Sequence, residues 1–285
     1  TYACLATDSK DRDHLVYRGG TSPPKARYER RLPDNAFDRD VALSHITGIT
    51  PRYTFVNANL VVAPDDVLYA GFMYYHNPPG ASQGVCVIKS PDGGTTWTGV
   101  DDSPITLPLA YDKKHAPPHG KKMPYLGSLT VMSDGRVAAL TNDHHALADG
   151  HYFSVHDGKA WQATALGQFM PEDWCLMQSC CTCDATGRVL IAGSAVPRAI
   201  AEDGSTWSHP HNEIFLLTST DAGRTFTAQQ VSDTDPTTAN WLANISRPGP
   251  NHDLRTPLLM WTHGVKGDGC APPDETQVWA AWVGG

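Results

Sequence analysis

The sequence predicts an all-β fold, a β-propeller of about five four-stranded blades. Three observations carry this. First, a turn box recurs at even spacing. Ser90-Pro-Asp92-Gly-Gly94-Thr-Thr96-Trp97 and Ser219-Thr-Asp221-Ala-Gly223-Arg-Thr225-Phe226 share one pattern. Ser154-Val-His-Asp157-Gly158-Lys-Ala-Trp161 is a degenerate copy between them, and the serines lie 64 and 65 residues apart. Second, a hairpin pattern stands ahead of each box. Third, turn formers and strand aromatics are abundant, with 25 Gly, 22 Pro, 8 Trp and 10 Tyr in 285 residues.

Blades stack radially, each with strands A to D running from the channel outward. The first unit, residues 1–50, opens on an inner strand at Tyr2 that returns through Tyr17. The second, 51–110, has a hairpin from Asn57 to Gly71, an apolar strand from Val85 to Ile88, and the first box. The third, 111–170, repeats this with Leu129 to Leu140, Tyr152 to Val155 and the degenerate box. The fourth, 171–235, has Cys181 to Ala192, Ile214 to Leu217 and the last box. The fifth, 236–285, has a hairpin from Leu242 to Trp261 and a third strand from Gln277 to Val283. One domain covers 1–285. A period of about 65 residues divides the chain into about 4.4 units. That predicts either a five-bladed ring with an incomplete blade or a piece of a six- or seven-bladed propeller.

The box is turn chemistry. Asp accepts backbone N–H groups across the turn, Gly supplies positive φ, and the aromatic caps the next strand. These residues build structure rather than perform catalysis.

Composition excludes several classes. With 22 basic against 30 acidic residues, the net charge is −8, which argues against a general nucleic-acid binder. No apolar run is long enough for a membrane helix. No P-loop, GxGxxG or HExxH pattern is present. Seven cysteines leave an odd thiol, and the Cys175, Cys180, Cys181, Cys183 cluster has strand alternation that predicts buried thiols. The Asn244-Ile-Ser246 sequon falls in a predicted inner strand, where modification is not expected. A secreted or periplasmic location is the expectation, with no signal peptide in this chain.

The boxes resemble the Asp-box (BNR) repeats of the sialidase superfamily, over roughly Asn57 to Gln230. The resemblance implies a propeller whose boxes lie on the rim opposite the active site. It also implies an exo-glycosidase on an acidic sugar, with an arginine triad for the substrate carboxylate, a tyrosine nucleophile activated by glutamate, and an aspartate acid/base. The family's Arg-Ile-Pro motif has no copy at an early inner strand, because Arg31-Leu-Pro33 falls in another strand.

With the boxes on one rim, the B–C and D–A loops form the functional face. B–C loops begin at Arg18, His76, Asp143-His144-His145, Pro197-Arg198 and His263. D–A loops add His45, Arg52, Tyr53, Tyr111, His115, His119, Tyr125, Glu172 and Asp173. Ten of the 13 histidines fall on this rim, with His14, His156 and His252 in the opposite turns. The expected acid/base or metal groups are His76, His144, His145 and His263, with Tyr53 or Tyr125 as nucleophile or acid. Arg18, Arg52 and Arg198 are the expected carboxylate clamps. Asn57, Asn59, Ser128 and Gln178 line the channel mouth. No cofactor is required, although His115-Ala-Pro-Pro-His119 and His209-Pro-His211 have spacings that suit a divalent metal on the rim.

Three functions follow. The family resemblance places a sialidase-like exo-glycosidase first, with an acidic oligo- or polysaccharide as partner. The histidine-rich rim suits a polysaccharide lyase, which needs a neutralised uronate carboxylate, a base for the C5 proton and an acid for the leaving oxygen. A non-catalytic glycan- or protein-binding propeller would use the rim aromatics Tyr53, Tyr111, Trp174, Trp207 and Trp241.

Overall fold

A computed structural model describes residues 3–19, 25–45, 51–55, 59–76, 81–120, 124–143, 150–203, 206, 209–235, 237–248, 254–265 and 275–284. Strands dominate, and the one α-helix among these residues is the short α1, Arg198–Asp203.

Five antiparallel sheets follow one another along the chain. The first is β1 (Ala3–Thr7), β2 (Asp13–Gly19), β3 (Lys25–Arg31) and β4 (Phe37–Ala42), paired in that order. In the second, β5 (Pro51–Phe55) and β6 (Leu60–Val62) both pair with β7 (Leu68–His76), followed by β8 (Ala81–Ser90) and β9 (Thr98–Gly99). The third is β10 (Pro124–Val131), β11 (Val137–Asp143), β12 (Tyr152–His156) and β13 (Trp161–Ala165). The fourth is β14 (Trp174–Cys183), β15 (Val189–Pro197), β16 (Glu213–Ser219) and β17 (Thr227–Gln230). The fifth has β18 (Ala239–Ile245), β19 (Leu258–Val265) and β20 (Glu275–Trp282). This is a β-propeller, with each sheet a blade and its first strand innermost.

The core lies between blades rather than at one centre. Val16, Tyr28, Phe72 and Ile88 join the first two blades, and Met73, Val85, Leu129 and Ala139 join the second to the third. Leu140, Phe153, Ile191 and Phe215 join the third to the fourth, and Leu190, Ile214, Leu259 and Trp261 join the fourth to the fifth. Such strands are buried on both faces, which is why they read as continuous apolar runs. On the far face of the last blade, Val278 and Trp282 are 73% and 70% exposed.

The inner strands share an irregularity. β10, β14 and β18 shift register at Leu126/Ser128, Leu176/Ser179 and Trp241/Asn244, and the second blade splits its inner strand in two. Neighbouring inner strands crowd there: a Cβ on Gly127 would sit 2.6 Å from the Ser179 carbonyl oxygen.

The boxes form the predicted turns. Asp92 Oδ1 accepts the N–H groups of Thr95 and Thr96 at 3.0 and 2.8 Å, and Ser90 Oγ accepts that of Gly94 at 2.7 Å. Asp221 and Ser219 do the same for Arg224, Thr225 and Gly223. The degenerate copy differs from its expected reading. Ser154 lies within β12, and His156 Nδ1 accepts the Gly158 N–H at 3.1 Å in the serine's place. Asp157 still accepts the N–H groups of Lys159 and Ala160, each at 2.9 Å.

The cysteines are thiols, buried at Cys4, Cys86, Cys175, Cys181 and Cys183 and half-buried at Cys180. Burial pushes the Cys180 and Cys181 thiols up to about 12, so neither supplies a thiolate at neutral pH. Cys270 lies outside the described residues.

Candidate functional site

Register fixes which residues share a rim. A strand that starts an A position, ends a B position or starts a C position brings that end to the rim opposite the boxes. Arg18 is the penultimate residue of β2, His76 ends β7, Asp143 ends β11, Pro197 ends β15 and His263 lies two residues before the end of β19. The predicted B–C positions therefore recur at one place in every blade. Tyr125, next to the start of β10, faces Asn142 across the register and is half-buried on the same rim.

The best-defined constellation joins the fourth and fifth blades. Glu213 opens β16, Asn240 is the second residue of β18, and His263 is in β19 directly opposite Asn240. Asn240 is buried, and both ends of its amide are committed. Its Nδ2 donates to Glu213 Oε2 at 3.1 Å and to the Asp233 carbonyl at 3.3 Å. Its Oδ1 accepts the Trp261 indole N–H at 3.0 Å and lies 3.0 Å from His263 Nδ1. An amide oxygen cannot donate, so His263 Nδ1 carries a hydrogen, and in the neutral ring Nε2 is the acceptor nitrogen. The Trp279 ring lies 4.4 Å from the His263 ring at 33° and holds its plane.

Glu213 anchors this group. Burial pushes its carboxyl above the ordinary range, against hydrogen bonds from Ser232 and Asn240 that pull it down. Its Oε2 accepts the Ser232 hydroxyl at 2.5 Å, while Oε1 is buried with no hydrogen-bond partner among the described residues.

The same device appears one blade earlier. Asn142 Oδ1 accepts the Ser179 hydroxyl at 2.9 Å and lies 3.2 Å from His151 Nδ1, which makes His151 Nδ1 the donor too. Asp143 beside it is fully buried.

Other predicted residues fall as follows. Arg198 opens α1, and its Nε donates to the Glu172 carbonyl at 3.1 Å while its backbone N–H donates to the Asp173 carbonyl at 2.6 Å. It thus ties the helix to the preceding loop. Gln178 sits in the β14 irregularity, with Oε1 buried and without a hydrogen-bond partner among the described residues. Arg18 is half-buried at the rim. His76, Arg52 and Tyr53 are placed in strands β7 and β5 by backbone alone, and their side chains are outside the description, as are His144, His145, Asn57, Trp207 and His252 altogether.

Two expectations are corrected. His115 is not on the functional rim: it is buried on the flank between the second and third blades, with His156 and Trp161. Trp241 is buried and so is not an exposed rim platform, while Trp174, half-buried at the start of β14, packs its ring 5.1 Å from Phe215. Burial won for Trp241 because it lies inside an inner strand that faces a neighbouring blade. Among the described residues, which do not include His144, His145 or the side chain of His76, no group of three or more His, Cys, Asp or Glu side chains is placed to hold a metal.

Sequence reasoning missed Glu213, Asn240 and Trp279. A signal existed for Glu213, an acidic residue directly heading the apolar run Ile214–Leu217. Asn240 has none, because its partners come from two other strands and a loop.

No protein-family model and no curated protein matches the chain. It is similar to solved structures. An ulvan lyase of polysaccharide lyase family PL25 aligns with a TM-score of 0.62 at 13% identity, over 100% of this chain and 64% of its own. That lyase is also solved bound to -[GlcA(1-4)Rha3S]-. The polysaccharide lyase Uly1 aligns with a TM-score of 0.59 at 15% identity, over 99% and 58%. An α-L-arabinanase of Penicillium chrysogenum complexed with arabinobiose aligns with a TM-score of 0.53 at 12% identity, over 94% and 78%. The chain spans 58% and 64% of the lengths of the two lyases. At these identities the likeness is one of fold, and the fold is that of β-propeller enzymes acting on glycans.

Proposed function

We propose that the chain is the catalytic propeller of a carbohydrate-active enzyme that cleaves an acidic polysaccharide by β-elimination at the loop rim. The observation that carries this reading is the Asn240 clamp on His263. It fixes the tautomer, so that in the neutral ring Nε2 is the nitrogen that can act as a general base. The fold likeness to polysaccharide lyases supports the same chemistry.

The reaction removes the C5 proton, which is α to the uronate carboxylate. His263 Nε2 takes that proton. The electron pair forms the C4–C5 double bond, the C4–O bond breaks, and the leaving oxygen receives a proton from Tyr125. Arg18 neutralises the carboxylate, which stabilises the charge that builds as the C5 proton leaves.

A hydrolase with a tyrosine nucleophile is the competing reading. It needs a tyrosine primed by a carboxylate, and Tyr17 donates to Glu29 at 2.6 Å. Burial and that carboxylate push the Tyr17 hydroxyl up to about 12, so at neutral pH it keeps its proton until a base removes it.

Incubation with uronate polysaccharides and with sialylated substrates separates the readings. New ultraviolet absorbance from an unsaturated uronate, together with new reducing ends, is the expected result. Reducing ends without absorbance would establish hydrolysis, and binding without either would leave a glycan-binding module. His263→Ala should lower kcat/KM on the uronate substrate by about 10²–10⁴-fold. Asn240→Ala should lower kcat more than it raises KM and alter the pH profile, because the ring loses the partner that sets its tautomer.

A further inference from the structure

A second site lies away from the rim. Between the second and third blades, on the side of the box turns, is a cleft of about 280 Å³. Its walls are Val87, Val100 and Pro118, with Trp161 as the aromatic face. Polar groups converge from both blades: Asp101, Lys114 and His115 on one side, His156 and Lys159 on the other. The volume is at the low end for small-molecule sites, enough for about one sugar ring.

The lining is held in place. Trp161 is half-buried and meets the His156 ring edge-on at 5.1 Å and 78°. His156 Nδ1 accepts the Gly158 N–H, so Nε2 carries the hydrogen and is a fixed donor. Burial keeps the His156 imidazole below its ordinary range, and hence neutral at pH 7. Lys114 is carried on a turn that Asp112 caps, and its ammonium stands 3.8 Å from Asp101, a loose ion pair. Asp101 is held in turn by the Ser103 hydroxyl at 2.5 Å. Beside the neutral His156, two ammonium groups and one carboxylate line the cleft, an excess of one positive charge.

We infer that this cleft is a second saccharide-binding subsite that takes one anionic sugar residue. The Trp161 ring supplies the face on which the C–H side of a pyranose stacks. Lys114 and Lys159 pair with its carboxylate or sulfate, His156 donates to a ring hydroxyl, and Asp101 accepts from another. The cleft is on the opposite rim from His263, so an occupant there does not compete with a chain bound at the loop rim. The inference stands whether the rim performs elimination, hydrolysis or neither.

The test is a titration followed by amide and indole NMR shifts, with methyl glucuronide as probe and methyl glucoside as its neutral counterpart. Saturable shifts of the Trp161 indole and of the Lys159 and Ala160 amides with the glucuronide are expected, with the glucoside binding about tenfold more weakly. Lys159→Ala should weaken the glucuronide about threefold, and the Lys114→Ala, Lys159→Ala double variant should bind it no better than the unaltered protein binds the glucoside. These lysines are on the surface, so their loss leaves the fold intact where Trp161→Ala would disturb packing. His263→Ala should leave these shifts unchanged. Equal binding of the two sugars, no saturable shift at these three residues, or undiminished binding by the double variant would overturn the inference.

Discussion

At the scale of single residues, the structure uses buried charge as a fastener, and Asp8 shows how. Its carboxylate is fully buried on the box rim of the first blade. Burial alone would raise its pKa, but hydrogen bonds from Arg12 and His14 outweigh that and hold it at about 2. Arg12 Nε donates at 2.7 Å, and His14 Nε2 lies at 3.0 Å. His14 passes the link on through Nδ1 to the Tyr28 hydroxyl at 2.7 Å. A carboxylate whose folded pKa lies below its ordinary value stabilises the fold above pH ~4 and loses that contribution as the pH falls toward 2. The pair is worth about 2 kcal/mol at neutral pH by that linkage. Asp8→Asn should therefore cost about 2 kcal/mol at pH 7 in urea unfolding, and should flatten the acid limb of the stability curve between pH 4 and 2. An unchanged acid limb would show that another carboxylate governs it. His14 was legible only as a turn residue. The reach from His14 to Tyr28 crosses from β2 to β3, and spacing along the chain does not encode it.

At the scale of elements, the box turns do more than close hairpins. Gly94 has φ of +86°, and a Cβ there would sit 2.0 Å from the Tyr28 hydroxyl. The Tyr28 hydroxyl lies 3.0 Å from the Gly93 carbonyl oxygen, and Arg30 donates to the same oxygen at 2.7 Å. The second blade's box is thus docked onto the first blade's third strand. Gly94→Ala combines left-handed backbone with a clash against a buried ring, and should cost about 3 kcal/mol in equilibrium unfolding. Asp92→Ala, which removes only the turn's acceptors, should cost about 1–2 kcal/mol. If the two variants cost the same, the docking argument fails and the glycine serves the turn alone. The glycine's need for positive φ was legible in the box. Its close approach to Tyr28 was not, because residues 28 and 94 meet only when the blades pack. A second turn pattern also emerged: Asp8 with Arg12 and Asp184 with Arg188 make the same pair of backbone and guanidinium bonds in two A–B turns.

At the scale of the whole molecule, stability is built junction by junction. Each blade interface has its own apolar cluster, so the fold behaves as a stack in which neighbours support one another. The last sheet presents β20 as an edge among the described residues, with Val278 and Trp282 exposed on one face. Such an edge templates pairing with another chain. Val278→Lys keeps its place opposite Thr262 and should change stability by less than about 0.5 kcal/mol while lowering concentration-dependent light scattering. Scattering that is unaffected would locate any association elsewhere. The sequence by itself determined the all-β class, the blade period, the box turns and the recurrence of B-strand ends on one rim. Those properties depend on periods of two residues and on turn chemistry, both of which are local. Only the tertiary structure decided which rim groups face one another. The pairing of Asn240 with Glu213 and His263, the burial of Trp241 and the removal of His115 to a flank cleft depend on contacts between strands far apart in the chain. Burial and hydrogen-bond partners at those contacts, rather than residue type, set which nitrogen of His263 carries a proton.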